Sequence, residues 1–192
     1  LAIEVSPAEL NPSCCTATGF GLKKSTAGKK TEIVIKAMDS YNNMLTSGGA
    51  TFMAQMVGPV EVNIKDTIVD HKSGTYTLTY LASKSGDYHL HIKHGGIHVY
   101  GSPFDVRIDP AETNPAASKA EGNALNYCSS RRSHGLVITA RDTFYNRRTM
   151  GGDAVEIYMD DSTEVGGSEN LKFNAKDAGN GLYYVDVVPR RA

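Results

Sequence analysis

The sequence is written twice. Laid over itself at an offset of 103, Leu1–Leu22 falls on Phe104–Leu125 without a gap. Pro7 meets Pro110, Glu9 meets Glu112, Asn11-Pro12 meets Asn114-Pro115, Gly19 meets Gly122 and Leu22 meets Leu125. The same offset carries Ala37 to Ala140, Asp39 to Asp142, Asn43 to Asn146 and Gly48-Gly49 to Gly151-Gly152. Shared composition would not keep glycine and proline in register, so the chain holds two copies of one folding unit. The repeat sets the boundaries: residues 1–6 as the tail of a preceding strand or repeat, 7–109 as a first copy and 110–192 as a second. A length of 192 residues leaves room for two small domains.

Within each copy the apolar residues recur with a period of two, the period of a strand. Ile33, Ile35 and Ala37 alternate with Glu32 and Lys36; Phe52, Ala54 and Met56 follow and stop at Gly58-Pro59. Val60, Val62 and Ile64 read as the next strand. Tyr76, Leu78 and Tyr80 alternate with threonines, Tyr88, Leu90 and Ile92 with Asp87, His89, His91 and Lys93, and Val106 and Ile108 close the unit. Breakers such as Ser73-Gly74, Gly95-Gly96 and Ser102-Pro103 separate the runs, and no stretch sustains a helical period. About seven short strands in each hundred residues predict an all-β fold, tandem immunoglobulin-like antiparallel β-sandwiches, with polar Thr and His on half-solvated outer faces. There is no Trp, and no cysteine lies in the Glu32–Ala37 or Asp87–Lys93 runs, so the core rests on aliphatic and aromatic packing. Roughly 25 cal/mol per Å² of apolar area makes that feasible.

Composition removes several function classes. Lys plus Arg is 20 against 21 Asp plus Glu, a net charge of −1, which offers no field to draw nucleic acid or an anionic membrane. No apolar run is long enough to insert into a membrane as a helix, and no leader segment is visible at Leu1. Three cysteines, two of them adjacent, cannot form a closed disulfide framework, and Asn11-Pro12-Ser13 is blocked as a glycosylation acceptor. Both facts lean towards a cytoplasmic, reducing compartment over the cell surface.

The residues that could carry chemistry do not assemble into a catalytic motif. Gly19-Phe20-Gly21 and Ala27-Gly28-Lys29-Lys30-Thr31 echo phosphate loops, but their spacing is wrong and no helix start follows to aim N–H groups at an anion. His89 and His91 share one face of a strand, with His94 and His98 either side of a Gly-Gly turn. That is a spacing for zinc, and equally the polar face a solvated strand must carry; the second is the reading taken. No cofactor is expected. Arg131-Arg132, Arg147-Arg148 and Arg190-Arg191 read as solvated loop charges. Asp39 and Asp142 read as turn residues bonding nearby backbone N–H groups, with too few hard ligands for calcium.

The stretch Gly86-x-Tyr88 through Gly101-Ser102-Pro103-Phe104-x-Val106 resembles the closing strands of a filamin-type repeat. The run Pro110–Pro115 and on to Leu125 resembles the opening of the next repeat. In two ways the sequence departs. Leu1–Val5 matches Phe104–Ile108, and the second copy has no counterpart of Gly-x-Tyr or Gly-Ser-Pro-Phe after Tyr183, Val185 and Val187, so it reads as lacking its last two strands. A fragment of a longer array accounts for this; strands donated by another chain are the alternative. The resemblance implies a non-catalytic scaffold that spaces, bears load and binds partner peptides as an added strand in the groove between the third and fourth strands. Carried onto this sequence, that groove is Ala50, Thr51, Met53, Gln55 and Val57 with Val60, Val62, Ile64, Ile68 and Val69, and Ala154–Asp160 in the second copy. Neighbouring repeats of the same chain are further partners, and actin crosslinking would fall to other parts of the parent protein. The alternative is the ectodomain of a cell-surface adhesion protein built from such repeats.

Overall fold

The computed structural model describes residues 3, 5–62, 64, 67–129, 131–159 and 171–188. The match of Leu1–Val5 to a closing strand, and the pair Arg190-Arg191, lie wholly or mainly outside them. The chain divides into two compact units, Leu1–Asp109 and Pro110–Ala192.

The first unit is a two-sheet sandwich. Its strands are β1 (Thr16–Thr18), β2 (Lys24–Thr26), β3 (Thr31–Lys36), β4 (Phe52–Val57), β5 (Ile68–Asp70), β6 (Thr75–Tyr80), β7 (Gly86–His94), β8 (Ile97–His98) and β9 (Phe104–Asp109). Sheet one runs β1-β3-β6-β5; sheet two runs β2-β9-β7-β4, with β8 folded back on the end of β7. All neighbours are antiparallel except β2 and β9. The alternation seen in the sequence is the burial pattern: Ile33 and Ile35 of β3, Tyr76, Leu78 and Tyr80 of β6, and Tyr88, Leu90 and Ile92 of β7 all point into one core with Val106 and Ile108. Phe52 meets Tyr76 edge-on, ring centroids 4.9 Å apart. Buried phenols need acceptors: the Tyr80 hydroxyl donates to Gly21 O (2.7 Å) and that of Tyr88 to Lys84 O (2.8 Å).

One expected strand is not formed. Val60 is exposed, and the described residues of the run, Val60–Val62 and Ile64, make only an isolated antiparallel bridge, Val62 to Met56. Pro59 has no N–H to give a ladder, and the chain here must leave sheet two to reach β5 in sheet one. It does so by sinking Val62 and Ile64 into the open side of the sandwich, where both are buried.

The second unit comprises β10 (Lys119–Glu121), β11 (His134–Thr139), β12 (Glu156–Met159), β13 (Leu171–Asn174), β14 (Lys176–Asp177) and β15 (Leu182–Val187). Four of these form a sheet ordered β10-β11-β15-β14, the counterpart of β1-β3-β6-β5, and β12 pairs with β13 as a separate ribbon. Tyr183, Val185 and Val187 are buried, and a small cluster gathers Leu136, Val185 and Val187 with partly buried Ile157 and Phe173.

The loop after the first central strand is built identically in both units. The buried Asp39 carboxylate accepts from the N–H groups of Ala8, Tyr41 and Asn43 and from the Asn43 side chain, at 2.8–3.0 Å. Asp142 accepts the equivalent four bonds from Ala111, Phe144 and Asn146, at 2.8–2.9 Å. Each aspartate thus ties the start of its unit to its own loop. Gly74 (φ +76°) and Gly181 (φ +75°) close the same loop: each stands where a Cβ would strike the backbone carbonyl of Leu45 or Arg148.

Candidate partner-binding edge

β4 is an edge strand of sheet two, because its ladder runs along β7 and, among the described residues, its other side meets only the Met56–Val62 bridge. Phe52 and Met56 point into the core, so Met53, Gln55 and Val57 point out; Met53 is 58% and Val57 46% exposed. Among the described residues the edge is unpaired over Phe52–Gln55 and bridged at Met56. Alongside the open part runs a groove of about 620 Å³. Ala54, Val62 and Ile64 give it an apolar floor; Met53, Gln55, His91 and Lys93 form its outer wall, and Glu61 stands at the end beside Val62.

The ten residues singled out in the sequence separate into groups. Met53, Gln55, Val62 and Ile64 line the groove. Val57 and Val60 are exposed beyond its closed end. Ala50 uses its N–H on the Tyr76 hydroxyl (3.0 Å), and Thr51 is exposed with its carbonyl 2.9 Å from His94 Nδ1. Ile68 packs on the core, and Val69, 56% exposed, faces away from it; both belong to β5 in the other sheet. In the second unit Ala154 is exposed and Glu156–Met159 form β12, while Asp160 lies outside the described residues. The groove residues not foreseen are Ala54, Glu61, His91 and Lys93. The last two were visible as the polar face of β7, but their place beside β4 depends on a pairing between strands thirty-odd residues apart, Gln55 opposite His91 and Met53 opposite Lys93.

The histidines do not converge on a metal. His89 and His91 do share the outer face of β7, but His89 Nδ1 lies 2.8 Å from Asp105, His98 Nδ1 2.9 Å from Ser102 Oγ, and His94 sits against Phe52. Among the described residues no three metal-ligating side chains come together. His91 and His98 stack at 5.5 Å, and burial, with His98, Lys93 and His89 adding to it, holds the His91 imidazole below its ordinary range. Arg131, Arg132 and Arg147 are exposed loop charges, whereas Arg148 is half-buried and donates from Nη1 to Ala111 O.

The family model described as Filamin/ABP280 repeat matches residues 9–105, half of the chain. Tripartite motif-containing protein 3 of Mus musculus is 36% identical over 101 residues, 52% of this chain and 14% of its own length. Filamin-A of Drosophila melanogaster is 28% identical over 186 residues, 95% of this chain and 7% of its own length. The chain therefore spans a small part of the curated relatives it matches. Among solved structures, the Escherichia coli adhesin FdeC superposes with a TM-score of 0.64 at 19% identity, over 98% of this chain and 59% of that one. Invasin, a bacterial integrin-binding protein, superposes at 0.59 and 14% identity, over 94% and 35%. These two likenesses show the immunoglobulin-like fold.

Proposed function

The chain belongs to the Filamin/ABP280 repeat family, and from that premise we propose that it is a non-catalytic scaffold segment which binds partner peptides by strand addition along β4. The observation that carries the reading is the open edge at Phe52–Gln55 beside an apolar floor, with Met53 exposed at its rim. An edge strand offers unpaired N–H and C=O groups for a ladder, and alternate pockets for side chains. Met suits such a surface because its flexible thioether adapts to different partners. In this reading the second unit and neighbouring repeats act as spacers, and any engagement of actin belongs to other parts of the parent protein.

The test is a titration of the isotope-labelled chain with short synthetic peptides of alternating Val and Ser, read through backbone amide signals. Binding by strand addition moves the amides of Phe52–Val57 first and slows their hydrogen exchange. Met53→Lys, at an exposed position, weakens binding about tenfold or more. Perturbation confined to other strands would overturn the reading.

A further inference from the structure

Directly opposite residues of an antiparallel pair project from the same face. Met53 is opposite Lys93 and Gln55 opposite His91, so all four side chains share the outer face of sheet two. β8 extends that face: His98 stands opposite Lys93, its ring 5.5 Å from that of His91. His89, also on β7, is already answered by Asp105 of β9 at 2.8 Å. Lys93 has no carboxylate within ion-pair distance among the described residues. Among the described residues the one acid lining the groove, Glu61, lies beside Val62 at the bridged end, past Met56. The described lining is therefore cationic beside Met53 and acidic beyond Met56.

An added strand would lie about 4.8 Å from β4 and roughly twice that from β7. A side chain on its outer face has to reach back over Gln55 to touch β7, a span that glutamate and lysine bridge together and that aspartate does not. Side chains on its inner face would rest on Ala54, Val62 and Ile64, which leave room for small apolar residues.

We propose that the β4 groove selects an extended peptide carrying a glutamate on its outer face, seated over Gln55 between Lys93 and His91, and small apolar residues on its inner face. The proposal rests on the reading of β4 as the partner-binding edge. It also makes recognition sensitive to pH. The charged or titratable groups around His91 are Lys93 and His89 on its own strand, His98 on β8 and Glu61 across the groove; β4 offers only the neutral Gln55. Burial, with His98, Lys93 and His89 adding to it, holds the His91 imidazole below its ordinary range, and an incoming carboxylate favours its protonation.

The experiment uses the whole chain and three Val/Ser alternating peptides identical but for a central Glu, Gln or Lys, with affinities taken from the shifts of the β4 amides. The Glu peptide binds about tenfold more tightly than the Gln peptide, and the Lys peptide most weakly. The Glu preference grows as the pH falls from about 7.5 to about 5.5. Lys93→Gln reduces the preference at both pH values; His91→Gln removes its pH dependence. Equal affinities of the three peptides at β4 would overturn this proposal and leave strand addition standing. If no peptide moves the β4 amides, strand addition itself fails, and the proposal with it.

Discussion

The strand pairs β3/β6 and β11/β15 carry matching residues inward and meet different surroundings. In the first unit Ile33, Ile35, Tyr76, Leu78 and Tyr80 are all buried, covered by the inner faces of β7 and β9. In the second unit Leu136, Val185 and Val187 are buried, yet Ile138, the counterpart of Ile35, is only half-buried. The loops tell the opposite story. The Tyr76 hydroxyl accepts from Ala50 N and the Tyr183 hydroxyl from Asp153 N, both at 3.0 Å. Asp70 accepts from Gly49 N and Asp177 from Gly152 N, at 2.8 and 2.7 Å. Ala37 N and Ala140 N both reach the carbonyl of the tight-turn glycine at 2.8 Å. Sheet one and its loops are specified by contacts within their own stretch of chain, and so recur intact. The depth of the core depends on what the opposing sheet supplies.

The sharpest way to break that contrast is to truncate the paired tyrosines. Tyr76→Ala removes a ring packed on Phe52 in a full core, and is expected to cost about 3–5 kcal/mol, as is Phe52→Ala. Tyr183→Ala, equally buried but outside the small Leu136, Val185 and Val187 cluster, is expected to cost about 1–3 kcal/mol. Urea titrations followed through amide signals of each unit measure both. Equal losses would show the inner face of the second unit to be packed as densely as that of the first.

Next in size is the aspartate clamp, where the units should agree. Burial acts to raise the Asp39 carboxyl, but the Asn43 side chain and the N–H groups of Ala8, Asn43 and Tyr41 outweigh it and hold the group at about 2. A folded value below the unfolded one, about 3.9, gives a contribution that is complete above about pH 4 and is lost as pH falls through about 2. Asp39→Asn should lower the urea midpoint at pH 7 and flatten its fall between about pH 4 and 2. Asp142→Asn should lower the midpoint of the second unit at pH 7, since the amide keeps one acceptor oxygen and turns an NH2 towards two of the four donors. A loss in one unit only would end the equivalence.

How much of this was legible follows the same line. The alternation of β3, β6 and β7, the breakers between them and the turn bonds of Asp39 and Asp142 are short-range features that residues within a few positions of one another announce; the bonds to Ala8 and Ala111, 31 residues away, are not. Val60–Ile64 misled because alternation marks a buried face without saying whether it sits in a ladder; Val62 and Ile64 are buried as plugs between the sheets. At the candidate edge the alternation of Phe52, Ala54 and Met56 is enough to turn Met53 and Val57 to the outer face. His91 and Lys93 were not placed beside them, because the β4–β7 register is set by the whole sandwich. Nor could alternation show that the Met56–Val62 bridge closes the far end of the groove.

A smaller test concerns a place where the units differ in chemistry. At the offset of 103, Leu10 and Leu45 of the first unit become Thr113 and Arg148. The leucines pack against the core, whereas Thr113 Oγ1 and Arg148 Nε are buried with no hydrogen-bond partner among the described residues. Buried polar atoms left unpaired are costly. The double variant Thr113→Leu, Arg148→Leu should stabilise the second unit by about 1 kcal/mol, the gain being trimmed by the lost bond from Arg148 to Ala111 O. A destabilised double variant would mean that this corner of the second unit cannot accept the packing of the first.

The smallest expected effect lies at Cys15, which the repeat places opposite Ser118. Cys15 is fully buried, and burial pushes its thiol up, so it is a poor nucleophile. Its sulfur accepts from Met38 N at 3.4 Å and donates to Asn11 O at 3.3 Å. Ser118 does the same with oxygen: Oγ accepts from Arg141 N at 3.0 Å and donates to Asn114 O at 2.8 Å. Thiol and hydroxyl thus perform one task, joining the turn that opens at Asn11 or Asn114 to the end of the first central strand of its unit. The second unit already fits the shorter bonds that oxygen requires, so Cys15→Ser should cost less than about 1 kcal/mol. Cys15→Val fills the site but leaves the Met38 N–H without an acceptor, at a cost of about 1–3 kcal/mol. Thermal denaturation of the two variants orders them. If valine proves the milder change, Cys15 is held by packing alone, and the likeness to Ser118 is one of position and not of function.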